Sequence, residues 1–217
     1  MEVKETKQIA GSRFLRLFER TYSHEGHDGR WMFASRDATP PTHEQKKPDA
    51  VIVVAIKTDE DEPKIVLTSE YRVPLLAREV SFPAGLIDDE DYNDEDLFAG
   101  VAHNQLIKAA ATRAAIRECW EETNLIFTPK TVSPPNLYTS AGMTNESAIF
   151  VMGTATGDPS SKNSGKSEDI EVHILNLSEI RLLLEGKHKL CIHAMSGRLW
   201  MMLRPLLLDN AMSNIIE

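Results

Sequence analysis

Three glutamates crowd the end of one predicted helix. In the segment Arg117 to Leu125, RECWEETNL, Glu118 and Glu122 are four residues apart and Glu121 falls between them. At roughly 100° per residue of an α-helix, the three carboxylates occupy one arc. Like charges at that spacing destabilise a helix, and negative charge in the last turn opposes the helix dipole. A divalent cation reverses both penalties. Hard carboxylate oxygens favour Mg2+, with Mn2+ as a substitute. Ala109, Thr112, Ile116, Cys119 and Trp120 fall on roughly the opposite side of the wheel, so the helix is expected to bury that face and offer its oxygens from the other. Arg117, four residues before Glu121, can hold that carboxylate in place. The alternative for such a pattern in isolation is a solvated acidic face with one i,i+4 ion pair.

The remaining pattern alternates strand-like and helix-like segments. Ile9 to Arg36 suggests two or three strands around a turn at His24 to Gly29, a small N-terminal β unit. Ala38 to Asp49, polar with three prolines, reads as a linker. AVIVVAI, from Ala50, is a β-branched run whose hairpin partner is KIVLTSEYR. A helix over Leu106 to Thr123 follows, then strands at Ser147 to Ala155 and Ile170 to Leu175 flanking a Gly/Ser/Lys-rich loop. Leu177 to Leu184 and Leu199 to Leu208 are amphipathic enough to be helices. This order of elements predicts an α+β domain, a mixed sheet with helices on both faces. The domain boundary is placed at 48/49, with residues 1–48 as β unit and linker and 49–217 as the main domain.

Upstream of the acidic helix stands Phe82-Pro83-Ala84-Gly85-Leu86-Ile87-Asp88. Together they resemble the Nudix hydrolase family, whose box reads G-x5-E-x7-R-E-U-x-E-E-x-G-U, with U a bulky aliphatic residue. This chain supplies Gly85, Arg117, Glu118, Glu121, Glu122 and Leu125. Counted back from Arg117, the family's first Glu falls on Ala109. More residues separate Gly85 from Arg117 than the box allows, so residues 88–105 read as an acidic surface insertion. Either a residue of that insertion takes over the missing Glu's support, or the support is absent. Asn124 replaces the final Gly and is the usual second choice for a left-handed helix end.

PAGLID and its surroundings resemble, more narrowly, the ADP-ribose pyrophosphatase branch. Phe14 to Leu17, Asp28 to Trp31, Ser69-Glu70-Tyr71-Arg72, Ser140 to Glu146, Glu168 to Val172 and the LWMMLRPLL ending carry that likeness across nearly the whole chain. It implies an α/β/α Nudix sandwich that hydrolyses the pyrophosphate bond of a nucleoside diphosphate sugar with Mg2+, ADP-ribose giving AMP and ribose 5-phosphate. Alternatives are another nucleotide sugar or dinucleotide, and a non-catalytic module that senses ADP-ribose. The resemblance implies the Ala84 carbonyl, Glu118, Glu122 and Glu168 as metal ligands, and Glu121, Glu168 and Arg117 as catalytic residues, the base being Glu168, Asp169 or a metal-bound hydroxide without protein help. Trp31, Arg72, Glu79 and Glu146 are the implied substrate contacts, Glu79 standing near Ser81, where many relatives carry a base-reading Glu. It also implies a homodimer formed through the N-terminal unit.

Composition narrows the partners. In 217 residues with 41% hydrophobic content, one well-buried domain plus an appendage can form. A net charge of −9 disfavours nucleic acid and anionic membranes. It also makes a bare polyphosphate unwelcome, so a magnesium complex and arginines such as Arg72 and Arg78 are expected to offset the repulsion. Cys119 and Cys191 show no metal-type spacing, and a reduced, cytoplasmic protein is expected. The longest apolar run, Ala50 to Ile56, is too short to span a bilayer.

Overall fold

The computed structural model describes residues 1–59, 61–92, 102–165 and 168–208. Twelve strands are present among them. The first eight are β1 (Glu2–Gly11), β2 (Arg16–His24), β3 (His27–Ser35), β4 (Ala50–Lys57), β5 (Lys64–Arg72), β6 (Ala77–Ser81), β7 (Ala84–Leu86) and β8 (Ile126–Val132). The others are β9 (Leu137–Tyr138), β10 (Ser147–Thr156), β11 (Ile170–Leu175) and β12 (Ala194–Met195). The described residues also form three α-helices, α1 (His103–Thr123), α2 (Leu177–Leu184) and α3 (Gly197–Leu208), and three short 3-10 helices.

The chain divides into two compact units, residues 1–49 with 134–148, and residues 50–133 with 149–217. In the first, β1, β2 and β3 form an antiparallel sheet. Residues 134–148, assigned from sequence to the main domain, join this unit through a bridge between Ala34 and Thr144 and through bonds from Trp31 to the Gly142 carbonyl and from Asn136 to the Lys46 carbonyl.

The segment read as a linker is pinned rather than free. Lys46 is only 3% exposed, and its ammonium meets Asp37 at 3.0 Å and Asp49 at 2.7 Å. Asn136 donates to the Lys46 carbonyl, Asn145 donates to Asp37, and the Ser147 amide donates to Asp49. A buried cation without such partners would be strongly disfavoured, so the segment's polar character reflects a closed network and not solvation.

The second unit is built on a mixed sheet in the order β12-β6-β5-β4-β10-β8, with β11 also pairing β5 and β7 pairing β4. The β12/β6 pair is parallel and the pairs of β5 with β4, β6 and β11 are antiparallel. The β-branched run in β4 is buried on both faces, as a sheet covered on both sides requires. Val51, Val53 and Ala55 pack with Val66, Ile149 and Val151 under α1. Ile52, Val54 and Ile56 alternate to the other face, where the apolar stripes of α2 and α3 supply the buried Ile180, Leu183, Leu199 and Leu203. Asn176 caps α2 with a reciprocal bond to Glu179. The predicted α+β sandwich is therefore the observed one. α1 starts three residues earlier than the sequence suggests, and residues 93–101 of the predicted insertion lie outside the described residues, as does Lys166, just upstream of Glu168. Among the described residues no helix is long and apolar enough to cross a membrane.

Candidate active site

The acidic helix buries the face expected to be exposed. Its inward residues are Ile107, Ala110, Ala111, Ala114, Ala115, Glu118, Cys119, Glu122 and Thr123. Cys119 is buried as expected, but Ile116 and Trp120 are 43% and 46% exposed, while Glu118 and Glu122 are only 9% and 8% exposed. The reason is steric. Four alanines let α1 approach β4 and β7 closely, so small side chains decide which arc faces the sheet, and the glutamates one turn further on follow it inward. A solvated acidic face is thereby excluded. Asn124 ends the helix with φ of 59°, and its amide returns to the Trp120 carbonyl.

The buried carboxylates meet β7. The Glu122 carboxylate accepts the Ala84 amide, yet its Oε2 has no hydrogen-bond partner. Glu118 lies directly against Gly85, where an added Cβ would collide with all three atoms of the carboxyl group. Gly85 is thus required by close approach rather than by its backbone angle. Gly85→Ala is expected to displace Glu118 or β7 and to destabilise the fold by about 1–3 kcal/mol, the usual cost of overpacking. A lowered melting temperature of the variant checks this.

Arg117 is held by a residue that backward counting missed. Its guanidinium contacts Asp91 at 2.9 Å, the Leu86 carbonyl at 3.0 Å and Glu118 at 2.5 Å, whereas the expected contact to Glu121 is longer, at 3.4 Å. Asp91 is 7% exposed and also accepts the Asp88 amide, while its carbonyl accepts Arg113 at 2.6 Å. Asp91 stands six residues after Gly85. Counted forward from Gly85, it occupies the place of the box's first acid, and the extra residues fall after it. Support for Arg117 is therefore present, supplied by an aspartate.

Burial, reinforced by Glu121 and Glu168 and opposed by Arg117, pushes the Glu118 carboxyl up to about 7. Burial, with Glu118, Glu70 and Glu168 adding, drives Glu122 well above the usual carboxylate range. Glu70, absent from the sequence-predicted set, is raised by burial, with Glu168, Glu79 and Asp169 nearby and Arg72 opposing. Glu70 sits directly opposite Glu79 across β5 and β6, and Arg72 bridges the pair at 2.6 Å and 3.4 Å. Two predicted substrate contacts, Arg72 and Glu79, thus touch each other. Glu168 accepts the Gly165 amide at 2.7 Å. The signal in the sequence for Glu70 is its place beside Tyr71-Arg72 in β5.

A divalent cation fits this donor set. Glu122 presents a buried, unpartnered oxygen, and Glu118, Glu70 and Glu168 all raise its proton affinity from nearby. Among the described residues, no three His, Cys, Asp or Glu side chains already converge on a single ion position. Arg117 holds Glu118 and the Gly165 amide holds Glu168 in this arrangement.

Trp31 and Glu146 belong to the first unit. The Trp31 indole N–H donates to the Gly142 carbonyl at 3.1 Å, and the side chain stays half-exposed beside a cavity of about 480 Å³ lined also by Tyr22, Phe33 and Tyr138. Glu146 accepts from Arg36 at 3.3 Å.

An acidic helix docked through Glu118 and Glu122 on an Ala-Gly strand of a mixed sheet is the arrangement that the resemblance to the Nudix family implies. Comparison with known sequences points the same way. Over 163 residues the chain is 26% identical to the Caenorhabditis elegans protein named "Putative nudix hydrolase 2", a match covering 73% of this chain and 64% of that protein. The chain thus spans less than two thirds of that relative's length. A solved structure of an ADP compounds hydrolase aligns over 96% of this chain and 94% of its own, with a TM-score of 0.58 and 18% identity, a likeness of fold. No protein-family model matches the chain.

Proposed function

We propose that the protein is a Mg2+-dependent Nudix pyrophosphohydrolase that cleaves a nucleoside diphosphate sugar, with ADP-ribose giving AMP and ribose 5-phosphate. The observation that carries this reading is the buried Glu118–Glu122 pair with an unpartnered Glu122 oxygen. A protein that only bound the nucleotide would gain nothing from two desolvated like charges. Glu118, Glu122, Glu168 and the Ala84 carbonyl would hold the cation, which when bound neutralises phosphate oxygens and acidifies water. Arg117, anchored by Asp91, keeps Glu118 turned toward Gly85 and lies near Glu121. Glu168 takes the proton of the attacking water at a carboxylate oxygen. Trp31 offers an aromatic face to the base, Arg72 an anion contact, and Glu79 and Glu146 further polar contacts. The N-terminal unit is assigned to homodimer formation, and residues 49–217 to hydrolysis.

Incubation with ADP-ribose and Mg2+ followed by chromatography tests the reading. Release of AMP is expected, and its absence across a panel of sugar nucleotides and dinucleotides would refute hydrolysis. Light scattering that finds a monomer would remove the dimer.

A pH dependence follows from the raised carboxyls. Folded Glu118 holds its proton over the window from the ordinary value, 4.5, to about 7, so within it the folded, metal-free protein binds more protons than the unfolded chain and loses stability as pH rises. A cation must displace those protons. The rise in melting temperature caused by saturating Mg2+ is therefore expected to grow from about pH 5 to about pH 7.5. His173, which burial shifts downward, acts in the opposite sense but equally with and without the ion, so it cancels in the difference. An increment that stays constant or shrinks with pH would contradict the assignment.

A further inference from the structure

We infer that Arg78 is a positioning residue that sets the acidic segment bearing Glu168 from the far side of the sheet. The inference rests on the function proposed above and extends it to a residue that sequence reading treated only as a possible anion contact. Residues directly opposite each other in antiparallel pairs share a face, and neighbours along a strand alternate. In β5, Glu70 pairs with Glu79 on one side and Ile170 on the other, whereas Ser69 pairs with Val80 and Glu171. Thr68 pairs with Val172, which packs under α1, so Glu70 and Glu79 lie on the α1 face. Arg78, two residues before Val80, therefore projects from the opposite face with Ser69 and Glu171.

From that side its guanidinium spans β5 to reach the segment leading into β11. One nitrogen donates to the Ser69 carbonyl at 3.0 Å and the Asp169 carbonyl at 3.2 Å. The other meets the Asp169 carboxylate at 2.6 Å and Glu171 at 3.4 Å. The Arg78 side chain is only 17% exposed, whereas Asp169 and Glu171 are 70% and 57% exposed, so the guanidinium is held from the buried side and has little surface left for a phosphate. Asp169 is thus held at both backbone and carboxylate, and Glu168 is the residue before it. On its other side Glu168 returns to Gly165 through a backbone bond of 2.9 Å. The planar fork of arginine suits this double grip, which a lysine ammonium cannot reproduce. Glu168 itself has no direct contact with Arg78; the effect passes through the backbone of Asp169.

The test is a double-mutant cycle between Arg78→Ala and Glu168→Gln, read both as kcat on ADP-ribose with Mg2+ and as Mn2+ affinity by paramagnetic resonance of the free ion. Arg78→Ala is expected to lower kcat and Mn2+ affinity about 10- to 100-fold, as loss of outer-shell support does, with KM near wild type. Arg78→Lys, which keeps a charge opposite Asp169, recovers part of the loss. In the Glu168→Gln background Arg78→Ala adds nothing, because both changes act through one group. Losses that multiply in the double variant, or wild-type kcat and Mn2+ affinity in Arg78→Ala, overturn the inference. Should Arg78→Ala not fold, Arg78→Gln removes the same ion pair and is read the same way. A wild type that binds Mn2+ but cleaves no sugar nucleotide refutes only the hydrolase reading, since the cycle remains measurable as affinity.

Discussion

Replacing Glu122 with Gln is expected to abolish turnover of ADP-ribose while raising the melting temperature of the metal-free protein at pH 7.5. Outer-shell changes at metal sites cost about 10- to 100-fold, so loss of a direct ligand is expected to exceed about 100-fold in kcat/KM. Stability moves the other way because Glu122 is 8% exposed, lies beside Glu118 and has one oxygen without a partner. Gln removes the desolvated like charge and keeps the shape, with its amide able to donate to Glu118. The opposite signs separate this variant from one that simply unfolds. Wild-type activity in Glu122→Gln would refute the ligand assignment, and a lowered melting temperature would show that the site is not strained by its charges.

The largest stability effect is expected at a position remote in sequence from the box. Lys46→Met keeps most of the buried stem but removes the ammonium, leaving Asp37 and Asp49 facing each other without a cation. Breaking a buried ion pair from one side costs about 3–5 kcal/mol. Asp37 is 29% exposed and can recover some hydration, so the lower end, about 3 kcal/mol, is expected. For a chain of this length that lowers the melting temperature by about 10 °C. A shift of a degree or less would mean that the network contributes little, and that the segment behaves as the free linker its prolines suggest.

Local pattern made much of this fold legible. The β-branched run of β4, its hairpin partner β5, the boundaries of α2 and β11 and the left-handed helix end at Asn124 all follow from short-range chemistry. The burial of α1 did not, because a hydrophobic wheel ranks Ile116 and Trp120 above alanine, whereas close approach to the sheet rewards Ala110, Ala111, Ala114 and Ala115. Asp91 was hidden by an ambiguity of counting. A motif interrupted by extra residues can be aligned from either end, and only the contact with Arg117 shows which end holds. The membership of residues 134–148 in the first unit depends on pairings with distant strands, which carry no local signal. Glu70 and Arg78 sit in an ordinary strand pattern, and their neighbours are set by sheet register alone.

Asn124 shows what a departure from a motif can add. A glycine there would give the same left-handed turn and nothing more. Asparagine also donates to the Asp158 carbonyl and accepts from Asn163, each at 2.9 Å, beside a backbone bond from Ser160 to Thr123. The box helix and the chain that runs on toward Glu168 are thereby riveted at one residue. A glycine in its place would keep the turn and leave the two parts less firmly joined.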